Sequence, residues 1–458
     1  MSYILVKNGL VTDSEKSEKA DVLVKDSKIA KVAAHIDVSS LYENVKVIDA
    51  DGKYVMPGFI DAHTHYHLVS RGTVTADSFE QGSRLAAFGG VTSVIDFADH
   101  DRGETLCRSL NNRLSEMKKG MAIDYTLHQG VYGHGYDETI GTQLEELKKQ
   151  GVKTLKIFTT YRETGYLIEE REKLSDLFRN AKRLGMLITA HCEYNPLIEE
   201  ISRNQVGTPC PKDHADLRPS QAEAKAIEYY GSAALEAQCP LYIVHVSSEA
   251  GINAVRALRR AGAVIYAETT PTYLFLERSL LEGSEGSLYV MTPPLRTKKD
   301  NLALQQAVLD GDIDVIATDH CAFTKNQKLS STDPRVIYPG IPGTEEMSAL
   351  LYTFAKKHSM PVTDMVKLIS SNPAKIFGIY PQKGSLQEGT DADITVFDPD
   401  CEWIVRNADI HSESGYSAFA GMKASGRACL TIVRGNVVCD GISYYGKAGD
   451  GMFVRQDY

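Results

Sequence analysis

The sequence predicts a closed (β/α)8 barrel, of the TIM type, carrying a small β-sandwich domain formed by both termini. Three observations lead there: eight short apolar runs alternate with amphipathic helical stretches, the runs finish on ionisable side chains, and both flanks are rich in short strands. The runs fall at 55–62, 91–97, 122–127, 152–159, 186–190, 240–246, 263–268 and 313–318. Each is too short for a helix, and several follow Gly or Pro. Between them, stretches such as 78–88, 171–184, 222–237 and 248–261 place apolar residues at steps of three and four with polar faces opposite. Seven runs end at His65, Asp96, His128, Lys156, His191, Glu268 and Asp319, and the sixth carries His245 in its last residues. In a closed parallel barrel those ends share one face, where barrel enzymes build their active sites. An open doubly wound sheet also alternates strand and helix, but it normally carries a glycine-rich phosphate turn, and no GxGxxG is present.

The chain has 458 residues, well beyond the ~250 of a bare barrel. The surplus lies at the ends. Residues 4–6, 22–24, 29–32 and 47–48, and residues 394–397, 403–405, 430–433 and 437–438, read as short strands punctuated by Gly, Asp and Asn. Residues 1–55 with 384–458 are therefore expected to pair into one β-sandwich domain, leaving 56–383 as the barrel. A net charge of −10 without long charge runs sets nucleic acid and anionic membrane aside as main partners. No apolar run approaches the ~20 residues of a membrane span, and the first residues lack the basic-then-apolar build of a signal peptide, so a soluble cytoplasmic protein is expected. The eight cysteines include no CxxC pair and suit reduced core thiols.

In His63-Thr64-His65 alternation turns both imidazoles the same way, an arrangement suited to zinc. With 13 histidines in the chain, about 0.4 such pairs arise by chance, so the motif alone decides nothing. Its company does: His191 ends MLITAH, His245 sits in LYIVHVSS and Asp319 follows DVIAT. Lys156, within VKTLKIF, is costly to bury as an ammonium without a partner. Pairing with a carboxylate is one reading. The other is an inward amine that reacts with carbon dioxide to a carbamate, whose oxygens can bridge two metals.

At this point the motifs carry a resemblance. HTH at 63–65, GTVTADSFEQGSRLAAFGGVTSVIDF at 72–97, HCE at 191–193, HVSS at 245–248, ETTPTYL at 268–274, TPPLR at 292–296, ATDHCAF at 317–323 and KGSLQEGTDADITVFDP at 383–399 resemble the hydantoinase/dihydropyrimidinase family of cyclic amidohydrolases over nearly the whole chain. The resemblance implies a distorted barrel, two Zn2+ per subunit and a homotetramer. His63, His65 and Asp319 would hold one zinc, His191 and His245 the other, with carbamylated Lys156 and a hydroxide bridging. Such a hydroxide attacks a cyclic amide carbonyl at neutral pH. Asp319 would act as ligand and base together, Tyr161 would donate to the developing oxyanion, and backbone at Thr292 and Pro339 would hold the substrate ring.

The chain departs from the family in its loops. Tyr66, His67, Leu68, Val69 and Ser70 follow the second histidine where relatives have Leu, then Asp or Gln, then Met-Pro-Phe. Arg162 and Glu163 stand where relatives are often apolar or carry lysine, Pro339 where Asn is common, and Thr270 where Cys is common. Tyr66, Leu68, Phe158 and Tyr166 are expected to line the pocket with Tyr161, while His67 reads as a solvated loop residue. The expected reaction is hydrolysis of a 5-substituted hydantoin or dihydropyrimidine to an N-carbamoyl amino acid. Allantoinase and dihydroorotase are the alternatives, but the latter places Arg where His67 stands; Arg71 and Arg162 are the other cations that could meet a substrate carboxylate. A mononuclear deaminase has no need of Lys156, and a non-catalytic scaffold homologue has no need of all six ligands.

Overall fold

The computed structural model describes residues 2–39 and 45–457. Eight parallel strands follow one another in sequence and space: Phe59–Asp61, Val91–Ala98, Asp124–Gly130, Thr154–Phe158, Leu187–His191, Leu241–Ile243, Ile265–Thr269 and Val315–Ile316. They are buried on both faces, as expected of a sheet wrapped by helices. The first and last strands do not pair along their length. A bridge between Thr64 and His320, with the His65 N–H donating to the His320 carbonyl at 2.8 Å, completes the ring. Asp61 reinforces that seam by accepting from the Thr318 N–H at 3.0 Å and from the Thr318 and Thr344 hydroxyls at 2.5 and 2.9 Å.

The helices form where the apolar spacing predicts. Arg171–Leu184 buries Leu174, Leu177, Phe178, Ala181 and Leu184 on one face and stops at Gly185, whose φ of 63° suits a residue without Cβ. Glu249–Arg260 starts at Ser248, whose side chain accepts from the Gly251 N–H, and buries Ile252, Val255 and Leu258.

A second eight-stranded sheet unites the termini. Its order runs Asn436–Cys439, Lys423–Val433, Ile394–Ile404, Tyr54–Pro57, Tyr3–Thr12, Ser17–Lys25 and Lys28–Ala33, with Val45–Asp49 also on Tyr3–Thr12. Ile4, Val6, Val22, Val55, Ile394 and Ile432 give this small β-sandwich its own core.

Two boundaries differ from the sequence reading. The run 55–62 is two strands, because the chain crosses between sheets at Gly58: Val55 pairs with Val11 and Val396, while Phe59 pairs with Val91. A Cβ at Gly58 would lie 2.1 Å from the Thr92 hydroxyl, so only glycine permits the crossing. At the other end, residues 449–457 leave the second sheet and close the floor of the barrel. Phe453 bridges to Tyr125, Val454 joins the cluster inside the barrel, and Gln456 accepts from the Lys153 N–H at 2.5 Å. All eight cysteines are free thiols, and no helix among the described residues is long and apolar enough to cross a membrane.

Candidate active site

At the carboxyl ends of the strands, the predicted ligand residues converge. His63 Nε2 and His65 Nε2 each stand 3.2 Å from the same Asp319 oxygen, and the ligand atoms of these three residues lie within 4.8 Å of one another. Beside them, His191 Nδ1 and His245 Nε2 are 3.0 Å apart. The His63 and His245 rings face each other at 5.4 Å, so the two groups form one cluster. Lys156, 1% exposed, points into the same space from the fourth strand, its amine 5.1 and 5.0 Å from the centres of the Phe97 and Phe158 rings. Strand ends alone do not aim these groups. His245 and Asp319 sit in the left-handed region, at φ 40° and 53°, as does Tyr161 at 64°. Such conformations cost about 1–3 kcal/mol each and persist where the surroundings dictate them, commonly at functional sites.

The electrostatics favour a cation here. Burial holds the His63, His191 and His245 imidazoles below their ordinary pKa, leaving nitrogen lone pairs free. Burial opposes ionisation of Asp319, but His63, His65 and His245 outweigh it and keep the carboxylate charged. Burial also lowers Lys156 to about 8, against the pull of Asp319 and Glu268, so roughly a fifth of its amine is neutral near pH 7.4, far more than for an ordinary lysine. Neutral imidazoles, a charged carboxylate and a nucleophilic amine are a donor set that fits a dinuclear metal centre.

Two carboxylates behind the cluster fix the imidazoles, and sequence reading gave them no role. His63 Nδ1 lies 2.8 Å from Glu268, which also accepts from the Tyr242 hydroxyl at 2.8 Å and the His245 N–H at 3.0 Å. His191 Nε2 lies 2.8 Å from Glu193, and Arg218 approaches the same Glu193 oxygen at 3.3 Å. Burial pushes the Glu193 carboxyl up, yet Arg218 and His191 bring it down to about 2. An outer carboxylate on the second nitrogen orients a ligating imidazole. The signal was present in HCE and in the Glu ending YAE.

The cluster floors an open cavity of about 670 Å³. Its walls include Leu68, Phe158, Tyr161, Tyr166, Thr292, Phe323 and Pro339. The Arg218 guanidinium lies 5.3 Å from the centre of the Tyr161 ring, and that ring stands 5.8 Å from that of His191. Tyr66 does not line the cavity. The alternation that turns His63 and His65 inward turns Tyr66 outward, where its ring covers Gly82 and its hydroxyl meets Thr344 at 3.2 Å. His67 is exposed outside the cavity, 5.4 Å from the Phe79 ring. Arg162 is also outside, paired with Glu169 at 3.0 Å and Glu199 at 2.6 Å. Arg71 stays at the mouth, donating to the Arg335 and Ile337 carbonyls at 3.2 and 3.3 Å.

The amidohydrolase family model matches residues 54–438. D-hydantoinase of Ralstonia pickettii is 33% identical over 99% of this chain and 98% of its own length, and that of Geobacillus stearothermophilus 34% identical over 99% and 96%. The crystal structure of dihydropyrimidinase from Brevibacillus agri NCHU1002 superposes with a TM-score of 0.95 at 31% identity over 99% of both chains. An L-hydantoinase (dihydropyrimidinase) from Arthrobacter aurescens superposes at 0.90 and 28% identity, over 99% of this chain and 100% of that one. The chain therefore belongs to the amidohydrolase family, in its hydantoinase and dihydropyrimidinase branch, and is a cyclic amidohydrolase.

Proposed function

We propose that this enzyme opens the ring of a 5-substituted hydantoin or a dihydropyrimidine to an N-carbamoyl amino acid. The observation that carries the reading is the convergence of His63, His65, Lys156, His191, His245 and Asp319 on one cavity that Tyr161 also lines. Two zinc ions would fit the donor set: His63, His65 and Asp319 would hold one, His191 and His245 the other, and carbamylated Lys156 would serve both. When bound they would supply an ionised water at neutral pH and polarise the scissile carbonyl. Carbamate formation needs the neutral amine, which attacks carbon dioxide and sheds a proton; burial of Lys156 provides that amine.

The protein's own groups then divide the work. Asp319, held ionised, takes the proton of the attacking water and returns it to the ring nitrogen as the carbon–nitrogen bond breaks. Tyr161, kept a phenol by burial, donates to the oxygen on which charge develops. Backbone at Thr292 and Pro339 holds the ring, and Leu68, Phe158 and Tyr166 surround its substituent with apolar surface. By family likeness the working form is a homotetramer, which a monomer in sedimentation would reject.

The test is a purified-enzyme screen against dihydrouracil, 5-substituted hydantoins, allantoin and dihydroorotate. Since His67 and Arg162 stand outside the cavity, kcat/KM for dihydroorotate should be at least ~10²-fold lower, about the cost of an unpaired charge. Comparable turnover of dihydroorotate would reject the assignment and name Arg71 as the carboxylate partner.

A further inference from the structure

Lys328 is a fully buried lysine outside the cluster just described, at 0% exposure. It ends the short helix Lys325–Lys328, which Thr324 and Gln327 cap reciprocally. Its ammonium donates to three backbone carbonyls: Val290 at 2.5 Å, Tyr338 at 2.9 Å and Gly340 at 2.9 Å. An ammonium has three N–H donors, and all three are used. Burial lowers its pKa to about 7, while three carbonyl acceptors favour the protonated form. Among the described residues no carboxylate pairs with it; peptide carbonyls solvate the charge.

The acceptors belong to two separate segments. Val290 lies two residues before Thr292, and Tyr338 and Gly340 flank Pro339. Thr292 and Pro339 both line the cavity. The segments also touch directly, since the Gly340 N–H donates to the same Val290 carbonyl at 3.0 Å. Gly340, at φ 141°, admits no Cβ, which would meet the Cys321 carbonyl at 2.3 Å. The loop is therefore pressed against the strand-eight side, and the lysine ties it to 290–292.

We infer that Lys328 is a positioning residue for substrate: it sets the separation of the backbone at Thr292 and Pro339, and thereby the grip on the substrate ring. The inference rests on the ring-opening function proposed above. Backbone contacts to a non-reacting part of the ring act alike on ground and transition states, so their loss raises KM and largely spares kcat. A residue serving stability alone would instead lower the active, metal-loaded fraction and leave KM unchanged.

The experiment compares the wild type with Lys328→Met and Lys328→Gln, reading metal content, KM and kcat on a hydantoin, and amide exchange without substrate. Expected in Lys328→Met are wild-type metal content, a KM raised ~10-fold or more, and a kcat within ~3-fold. Amide exchange should quicken in peptides covering 288–293 and 336–342 but not in 187–191, with Lys328→Gln intermediate in both readouts. An unchanged KM with unchanged exchange in a folded, metal-loaded variant overturns the inference, as does failure of both variants to fold with metal. If the wild type turns over no cyclic amide, the proposed function fails instead, and quickened exchange confined to those two segments would still support the tie.

Discussion

At the scale of single residues, the site separates groups that hold from groups that react. Asp319→Asn keeps an oxygen near His63 and His65 but cannot take a proton, so kcat should fall by ~10²–10⁴ while metal content is retained; near-normal turnover would mean another group moves the proton. Glu193→Gln should cost ~10–100-fold in metal affinity or activity, read by chelator competition, because His191 loses its charged anchor. The residues that converge on the cavity were legible in sequence because few side-chain types can bind a metal and these stood in or at the ends of apolar runs. Glu193 and Glu268 were visible as carboxylates in the same motifs, but their partners are nitrogens on distant strands that only the fold supplies. Tyr66 was misjudged because loop proximity was weighed above alternation, which already set it on the threonine face.

At the scale of elements, strand and helix periods were legible and pairing partners were not. The run 55–62 has one hydropathy signature but serves two sheets, and the sharp crossing at Gly58 depends on how close Thr92 comes. The last residues look like more of the β-rich flank, yet Gln456 is fully buried beneath the barrel. Its side chain accepts from the Lys153 N–H and donates to the Leu127 carbonyl at 3.2 Å. Gln456→Ala should therefore remove buried hydrogen bonds to the barrel backbone and lower unfolding stability by about 1–3 kcal/mol, measured by denaturant titration. A change below a few tenths would mean that the tail contributes little to closing the floor.

At the scale of the whole molecule, barrel and β-sandwich meet through a buried charge cluster. Lys383, 1% exposed, contacts Asp124 on the third barrel strand and lies 3.1 Å from Asp391 and 2.6 Å from Asp393, while Arg434 reaches Asp124 at 3.0 Å. Burial alone would lower the lysine's pKa; the three carboxylates hold it above its ordinary value. Lys383→Met would leave the buried Asp393 without a cationic side chain, with Asp124 and Asp391 keeping only Arg434 and Lys28, and should destabilise the fold by about 3–5 kcal/mol in the same titration, far more than loss of a surface pair. Such clustering lets the two sheets act as one support for strand ends that must stay aligned around the cavity. We propose that those ends hold a two-metal hydrolytic centre that depends on Lys156. Metal analysis of protein purified after growth with zinc is the decisive measurement: about two ions per chain are expected, and loss of at least one together with most activity in Lys156→Ala. Two retained ions and full activity in Lys156→Ala would contradict it.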